Sequence, residues 1–545
     1  MTKQIIKLTL TIFLAAQMYW LANGWKVGEA KANVVAAAAT PELPRVTLNT
    51  DFTPPTGKVI PVVAGGDFQA ALNRALPGDT ITLKAGAVFK GNFYLPPKKG
   101  NGWIVIRTST PDAGLPPPGT RITPQQAALL PKIVTPSSEA AIFTAPGAHH
   151  YRFIGLEISV QAGVKVNYGV VKLGDGSANQ RSADLVPTDL ILDRCYIHGN
   201  ATGDISRGVA INSARTAIID SWISEIHAVG MDTQAVCGWS GPGPFKIVNN
   251  YLEGAGENFL LGGADPAIKG LIPSDIEFRR NHLSRPLTWK ADDPSYAGTH
   301  WQIKNLFELK NCQRILVEGN VFEHNWGDAQ EGFSIVLKSV NQEGSAPWSV
   351  TRDVTFINNI VRNCGAGINM LGLDPNQPGE RMSRVLIRNN LWDGLEGRRW
   401  RSHGMFFQIS GSPDVVVDHN TVLHTGTVIS TYEAPSPNFV YTNNLSAHNE
   451  YGVKGAGMAS GRDTINQFLP GAIFTGNILA GGAKANYPQG NHFPRSLAEA
   501  CVIDRSGEFR LTLLKPYLAS GTDGKDIGCD LAALAKATAG VVIAP

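Results

Sequence analysis

Ten stretches of this chain share one short pattern: apolar, x, apolar, x, x, Asn, x, apolar. The first runs from Leu190 to Ile197 around Cys195, and the second from Ala217 to Ile223 around Ser221. The other eight centre on Asn250, Asn281, Asn320, Asn359, Asn390, Asn420, Asn444 and Asn477, at intervals averaging about 31 residues. Alternation with period two marks a strand with one buried face. The phase changes after the central residue, so the chain bends there. Asparagine tolerates the left-handed backbone that a sharp bend needs. Its amide both donates and accepts, so copies stacked in a column can bond to one another inside the protein.

Such a repeat predicts an all-β fold, a right-handed parallel β-helix (solenoid). An antiparallel sandwich has no use for one repeated position, and the Leu-x-x-Leu-x-Leu framework of leucine-rich repeats is missing. A third strand per coil is legible at 258–261, 305–310, 333–338, 367–371, 404–410 and 427–432, each before the next repeat segment. Ten coils would make a core about 45–50 Å long. Upstream, Phe68, Leu72 and Leu76 recur at four-residue spacing behind a candidate N-cap, Asp67. This predicts a short helix that covers the open end of the stack, ended by Pro77-Gly78-Asp79 and followed by a strand at Thr80–Leu83.

The chain has 545 residues, 17% charged, with 58 glycines and a net charge of +3. That balance does not call for nucleic acid, although a local basic strip can still hold an anion. Lys3 and Lys7 followed by an apolar run from Leu8 to Ala22 read as an export signal, placed at 1–39. The alternative is an uncleaved membrane anchor, and no second apolar run spans a bilayer. A Pro-rich linker is expected at 40–58, the β-helix at 59–500 and a C-terminal extension or cap at 501–545. A monomer outside the cytoplasm, extracellular or periplasmic, is expected. Six cysteines are too few to be the framework; Cys501 and Cys529 are a candidate pair, and Cys195 reads as a buried thiol.

The asparagine repeats over residues 150–480 resemble the right-handed parallel β-helix proteins of the pectate-lyase-like superfamily. The opening Gly66-Asp67-Phe68-Gln69-Ala70-Ala71-Leu72, with Pro77-Gly78-Asp79-Thr80-Ile81, resembles chondroitinase-B-like polysaccharide lyases. The segment Gly521 to Gly528 is similar to a tail of secreted bacterial β-helix proteins. The resemblance implies an extracellular protein acting on an acidic polysaccharide, by analogy of fold. The Arg-x-Pro-x-x-Arg signature of pectate lyases and the paired-aspartate signature of polygalacturonases are both missing. Asp418-His419-Asn420 looks like a lyase fragment, but Asn420 belongs to the repeat.

Chemistry in a solenoid follows its longer loops. Insertions at 286–304, 339–351, 264–274, 373–382 and 395–403 all adjoin the third strand, so they are expected to wall a groove over its sheet. Alternation in 306–310 points Glu308 and Lys310 outward, with Lys338 one coil away. Asp232, Gln234, Asn369 and Gln408 extend the polar row. Trp289, Trp301 and Trp326 are candidate sugar platforms, and Arg398, Arg399 and Arg401 around Trp400 candidate carboxylate binders. β-Elimination needs a neutralised substrate carboxylate, a base and an acid. Lys310 or Lys338 would serve as base or neutraliser, and His300 or His324 as base or acid. Hydrolysis would instead need paired carboxylates, with Glu308 and either Glu323 or Glu331 as candidates. A non-catalytic glycan-binding or cell-surface β-helix is the further alternative. Glu253, Glu257 and Asp265 are the candidates for calcium. Against these stand plainer roles: a surface ion pair for Glu308 and Lys310, and a turn role for His324, His424 and His448, each four residues after a repeat asparagine.

Overall fold

A computed structural model describes residues 38–506 and 509–543. The expected export signal therefore lies almost wholly outside the described residues. Among those residues no helix is long and apolar enough to cross a membrane.

Three parallel sheets wind around one core. Sheet A has fourteen strands, from Val59–Val62 to Ile473–Thr475, and carries the first half of each repeat segment. Sheet B has thirteen, from Val88–Lys90 to Ile478–Ala480, and begins after each central residue. Sheet C has twelve, from Phe93–Leu95 to Val453–Gly455, and holds the third strands. Coils that lack the asparagine precede the first repeat, so the rod reaches about 60 Å rather than 45–50 Å. The helix Phe68–Arg74 forms behind Asp67, whose side chain accepts from Ala70 N–H at 2.8 Å. It buries Phe68, Ala71 and Leu72 against the first coil. Leu76 falls beyond the helix and is exposed, contrary to the four-residue spacing.

The repeat asparagines form one buried column. Asn281 N–H donates to Asn320 Oδ1 at 2.8 Å, Asn320 N–H to Asn359 Oδ1 at 2.9 Å, and Asn359 N–H to Asn390 Oδ1 at 2.9 Å. The column extends to Asn477 and ends on Asn491. Each Nδ2 donates to the amide of the next coil and to a strand carbonyl of the preceding one, as Asn359 does to Val317 O at 2.9 Å. At the start, the Ser221 hydroxyl accepts from Cys195 N–H at 3.0 Å, so a shorter side chain keeps the same role.

The left-handed residue is not the column asparagine but the one before it. Arg194, Asp220, Asn249, Arg280, Asn358, Asn389, His419 and Asn443 all have φ between 49° and 59°. A second left-handed bend lies six residues before the column, at Asp189, Arg215, Asp275, Arg314, Asp353, Arg384, Asp414 and Asn438. Short polar side chains that bond locally suit this backbone. Charges alternate along the second bend: Arg314 Nε meets Asp275 at 2.7 Å, and Arg384 Nε meets Asp353 at 2.6 Å.

The Pro-rich stretch lies extended along this charged edge. Ala39 N–H donates to Asp414, Glu42 N–H to Asp353 at 3.1 Å, and Arg45 N–H to Asp275 at 2.9 Å. Thr50 O then accepts from Arg152 at 2.9 Å. The C-terminal segment runs along the column bend instead, from Thr522 on Asn443 to Asp530 on Asn389 and Val541 on Arg121. All six cysteines are free. Cys501 lies against Leu497 O and Cys529 beside Thr421, so the expected pairing is corrected. Cys195 is fully buried, and burial pushes its thiol up to about 12.

Asn359→Ala removes an acceptor for two N–H donors and a donor to Val317, all without access to water. The expected loss is about 3 kcal/mol, read as a lower denaturation midpoint at unchanged slope. An unchanged midpoint would mean that the column carries no stability.

Candidate functional site

Strand register sets what faces outward from sheet C. One row reads Tyr94, Phe143, Lys172, Ala210, Cys237, Leu260, Glu308, Val336, Asn369, Gln408, Ser430 and Lys454, one residue per rung. Beside it runs Arg207, Gln234, Glu257 and Asn305. Phe259, Phe307, Ile335, Ile368 and Phe407 alternate with these and fill the core. The rows are straight because the bends fix every coil to its neighbours.

At the middle of this face two carboxylates and two lysines pack together. Glu308 is 1% exposed and Glu257 2% exposed. Lys310 Nζ is 3.6 Å from Glu308, and Lys304 Nζ is 3.8 Å from Glu257 and bonded to Asp232. Gln234 donates to Glu257 at 2.8 Å, and Asn305 to Glu308 at 2.9 Å. Lys338 follows Leu337, which pairs with Leu309, so it stands one rung beyond Lys310. Burial and the nearby Glu308 charge raise the Glu257 carboxyl well above the usual range, against the pull of Lys304. Burial pulls Lys304 down, but Glu257 and Asp232 outweigh it and hold the ammonium above its ordinary value. Beneath the cluster, fully buried Arg285 donates to Gly254 O and Gly256 O, both at 2.8 Å, and burial pushes it down to about 9.

Loops stand along both edges of sheet C. On the leaving edge, Asp265 accepts from Ser345 N–H at 2.8 Å and Glu343 N–H at 3.1 Å, and Trp348 Nε1 donates to Leu271 O at 3.2 Å. Asn341 N–H reaches Gln377 O at 3.4 Å, so three insertions join in one wall. On the entering edge, Gly327 N–H donates to Trp400 O at 2.9 Å, and Asp328 accepts from Ile303 N–H at 3.0 Å.

The expected residues divide sharply. Glu308, Lys310 and Lys338 come together, and Gln408 lies in the same row, bonded to Asn369. The tryptophans do not line the groove. Trp289, Trp301 and Trp326 are 5%, 5% and 2% exposed and pack with Trp400 into a small core inside the entering wall. Their faces are covered, so the platform role is corrected. Arg398, Arg399 and Arg401 are exposed, and Arg399 lies 5.0 Å over the Trp400 ring. His300 is held by Asp328 at 2.6 Å, and His324 by Ser284 at 3.3 Å beside Trp400. Neither bonds to the lysines or to Glu308. His324 has φ 62°, which fits the turn role. Glu323 is on sheet B, held by His282 at 2.7 Å and Arg362 at 2.6 Å, and Glu331 is an exposed loop residue just before the strand Phe333–Lys338. The hydrolytic pairs Glu308–Glu323 and Glu308–Glu331 are therefore not assembled.

Glu253, Glu257 and Asp265 occupy three settings. Glu253 accepts from Tyr251 Oη at 2.8 Å on sheet B, and burial pushes it up to about 7. Asp265 is in the leaving wall, and Glu257 in the cluster. Among the described residues, no three His, Cys, Asp or Glu side chains are grouped to hold a metal ion. Sequence reasoning missed Lys304 and Arg285, and took Glu257 only as a calcium candidate. The signal was present: Glu257 starts and Lys304 immediately precedes a third strand, and Gln234 is the register mate of Glu257.

No protein family matches the chain, and no curated protein matches it. Solved structures do. A point mutant of AlyGC, an alginate lyase of family PL6, superposes with a TM-score of 0.50 at 14% identity, over 89% of this chain and 59% of that one. A mannuronic-acid-specific family 6 lyase from human gut microbiota superposes with a TM-score of 0.41 at 12% identity, over 80% of this chain and 91% of that one. Pectate lyase Pel9A gives 0.32 at 12% identity, over 87% and 96%. The chain spans about three fifths of the length of the AlyGC lyase. With its long parallel sheets wound about one core, this chain has the right-handed parallel β-helix fold.

Proposed function

We propose that the protein is a polysaccharide lyase that cleaves a uronate polymer by β-elimination on the outer face of sheet C. The observation that carries this reading is the placement of Glu308, Lys310, Lys338, Lys304 and Glu257 on neighbouring rungs between two loop walls, with Lys310 beside Glu308 and Lys304 beside Glu257. Glu308 lies under Lys310, and Asn305 fixes its second oxygen, so Glu308 is a positioning residue. The ammonium groups are the parts of the cluster nearest solvent.

In the reaction, one lysine neutralises the substrate carboxylate. This acidifies the C–H bond beside it. The other lysine, in its neutral form, accepts that proton. Electrons of the C–H bond become the new C=C bond, and the glycosidic C–O bond breaks. The leaving oxygen takes a proton from the cluster or from water. The alginate-cleaving activity named for the AlyGC lyase makes alginate the first polymer to try, with pectate as a second uronate beside it. Export from the cytoplasm belongs to the same reading.

Incubation with alginate and with pectate is expected to yield, from at least one of them, an unsaturated product that absorbs in the ultraviolet. Lys310→Ala and Lys338→Ala are each expected to lower kcat/KM by roughly 10²-fold or more. New reducing ends without that absorbance would mean hydrolysis. Retention of polymer without cleavage would leave a binding protein.

Acidity gives a second test. The Glu257 carboxyl is raised, so it is neutral below that raised value and gains a negative charge as pH climbs past it. That charge opposes the substrate carboxylate. KM for a uronate polymer is expected to rise with pH across this range, while Glu257→Gln flattens the rise. A variant whose KM follows the same curve as the parent would remove Glu257 from the site.

A further inference from the structure

We propose that the N-terminal end of the same face carries a second glycan-binding site, a cleft that grips an acidic oligosaccharide away from the reacting bond. The proposal rests on the polysaccharide reading above, but not on cleavage.

The cleft encloses about 620 Å³ over the early coils of sheet C. Its floor is Phe143, Lys172 and Ala210, the same outward row that continues to Glu308. Tyr168, 49% exposed, stands at the entering edge and Trp239 at the leaving edge. Aromatic rings on both sides of a trough suit the apolar faces of pyranose rings. The Trp239 ring is locked by its Nε1, which donates to Gly176 O at 2.8 Å. A Cβ on Gly176 would fall 2.0 Å from that ring, so glycine is what lets the platform form.

Two cations, Arg207 and Lys172, and two carboxylates, Glu139 and Asp175, line the cleft, so the ligand class follows from the one cation that no carboxylate meets. Arg207 lines the cleft with its guanidinium 5.2 Å over the Trp239 ring. It forms no ion pair among the described residues, whereas Arg152, Arg194, Arg215, Arg314, Arg352 and Arg384 all pair with carboxylates. Its Nε is buried without a hydrogen-bond partner. The guanidinium lines the cleft without a carboxylate beside it, so a ligand carboxylate can pair with it there. Lys172 is the second cation, with Glu139 at 3.8 Å on its rim side. A neutral sugar would leave the guanidinium unpaired; a uronate fits it.

Register then sets the distance. Lys172 is four rungs from Glu308, about 19 Å, and Phe143 five rungs, about 24 Å. Arg207 is two rungs from Glu257 in the adjoining row. A pyranose polymer advances by about one rung per residue, so a chain of roughly five residues or more touches cleft and cluster together. Shorter oligomers reach only one of them.

The test is calorimetric binding of size-graded uronate oligomers prepared from alginate to the whole protein carrying Lys310→Ala, so that nothing is cleaved. Long oligomers of roughly six to eight residues are expected to bind at least about tenfold more tightly than trisaccharides. Arg207→Gln and, separately, the surface change Tyr168→Ala are expected to erase that difference while a trisaccharide site at the Glu308 cluster is retained. A neutral glucan of equal length is expected not to gain from Arg207. The site is overturned if both variants bind long oligomers as the parent does, if long and short oligomers lose affinity equally, or if no uronate oligomer binds. Length-dependent binding through Arg207 in a parent that cleaves no polymer would support this site and sink the lyase reading.

Discussion

Everything on the outer surface depends on the backbone N–H to side-chain amide bonds that join successive asparagines. Each of these bonds sits where water cannot compete, so breaking one leaves an orphan donor in the core. Two left-handed bends, one and six residues ahead of the join, hold the sheet A strand between fixed corners. A slip of one residue would turn every core side chain outward. The penalty for a slip thus combines lost apolar burial with lost amide bonds. Alignment of outward rows on sheet C is a by-product of this constraint.

The cluster around Glu257 and Glu308 departs from the close carboxylate–arginine pairing seen along the bends. Elsewhere, carboxylates meet arginines closely, as Asp353 meets Arg384 at 2.6 Å. Here two carboxylates are buried near one another, and their lysines stand 3.6 and 3.8 Å away. Burial of like charges raises one of them and stores free energy that folding alone would not select. Sites that depart from local rules in this way concentrate at functional positions.

The architecture was legible because it rests on one residue type at one repeated offset. Period two before the asparagine and its changed phase afterwards fix strand, bend and strand. The bend itself was read one residue late: Asn358, Asn389 and Asn443 take the strained backbone, and Asn359, Asn390 and Asn444 the amide role. Doubled asparagines hid the division of labour. Of the site, Glu308, Lys310 and Lys338 followed from alternation, since strand register carries them together. The tryptophans did not, because alternation says nothing about loops. Trp289, Trp301, Trp326 and Trp400 come from separate insertions that fold onto each other, and apolar burial wins over exposure. Arg207 was invisible for the converse reason: its coil has no long insertion after it, and its meaning comes only from what fails to pair with it.

A stack of repeats ordinarily feels only its nearest neighbours, so its ends fray first and openings stay local. The extended segment from Ala39 to Thr50 alters that. Its contacts run from Asp414, at the head of one strand, to the strand holding Arg152, eight steps along sheet A. Twelve residues of extended chain cover about 40 Å, and eight rungs about 38 Å, so the segment fits the edge with little slack. Distant coils are thereby coupled through a single covalent tether. Loosening any one of them strips bonds from the others, which converts a zipper into a unit that opens all at once.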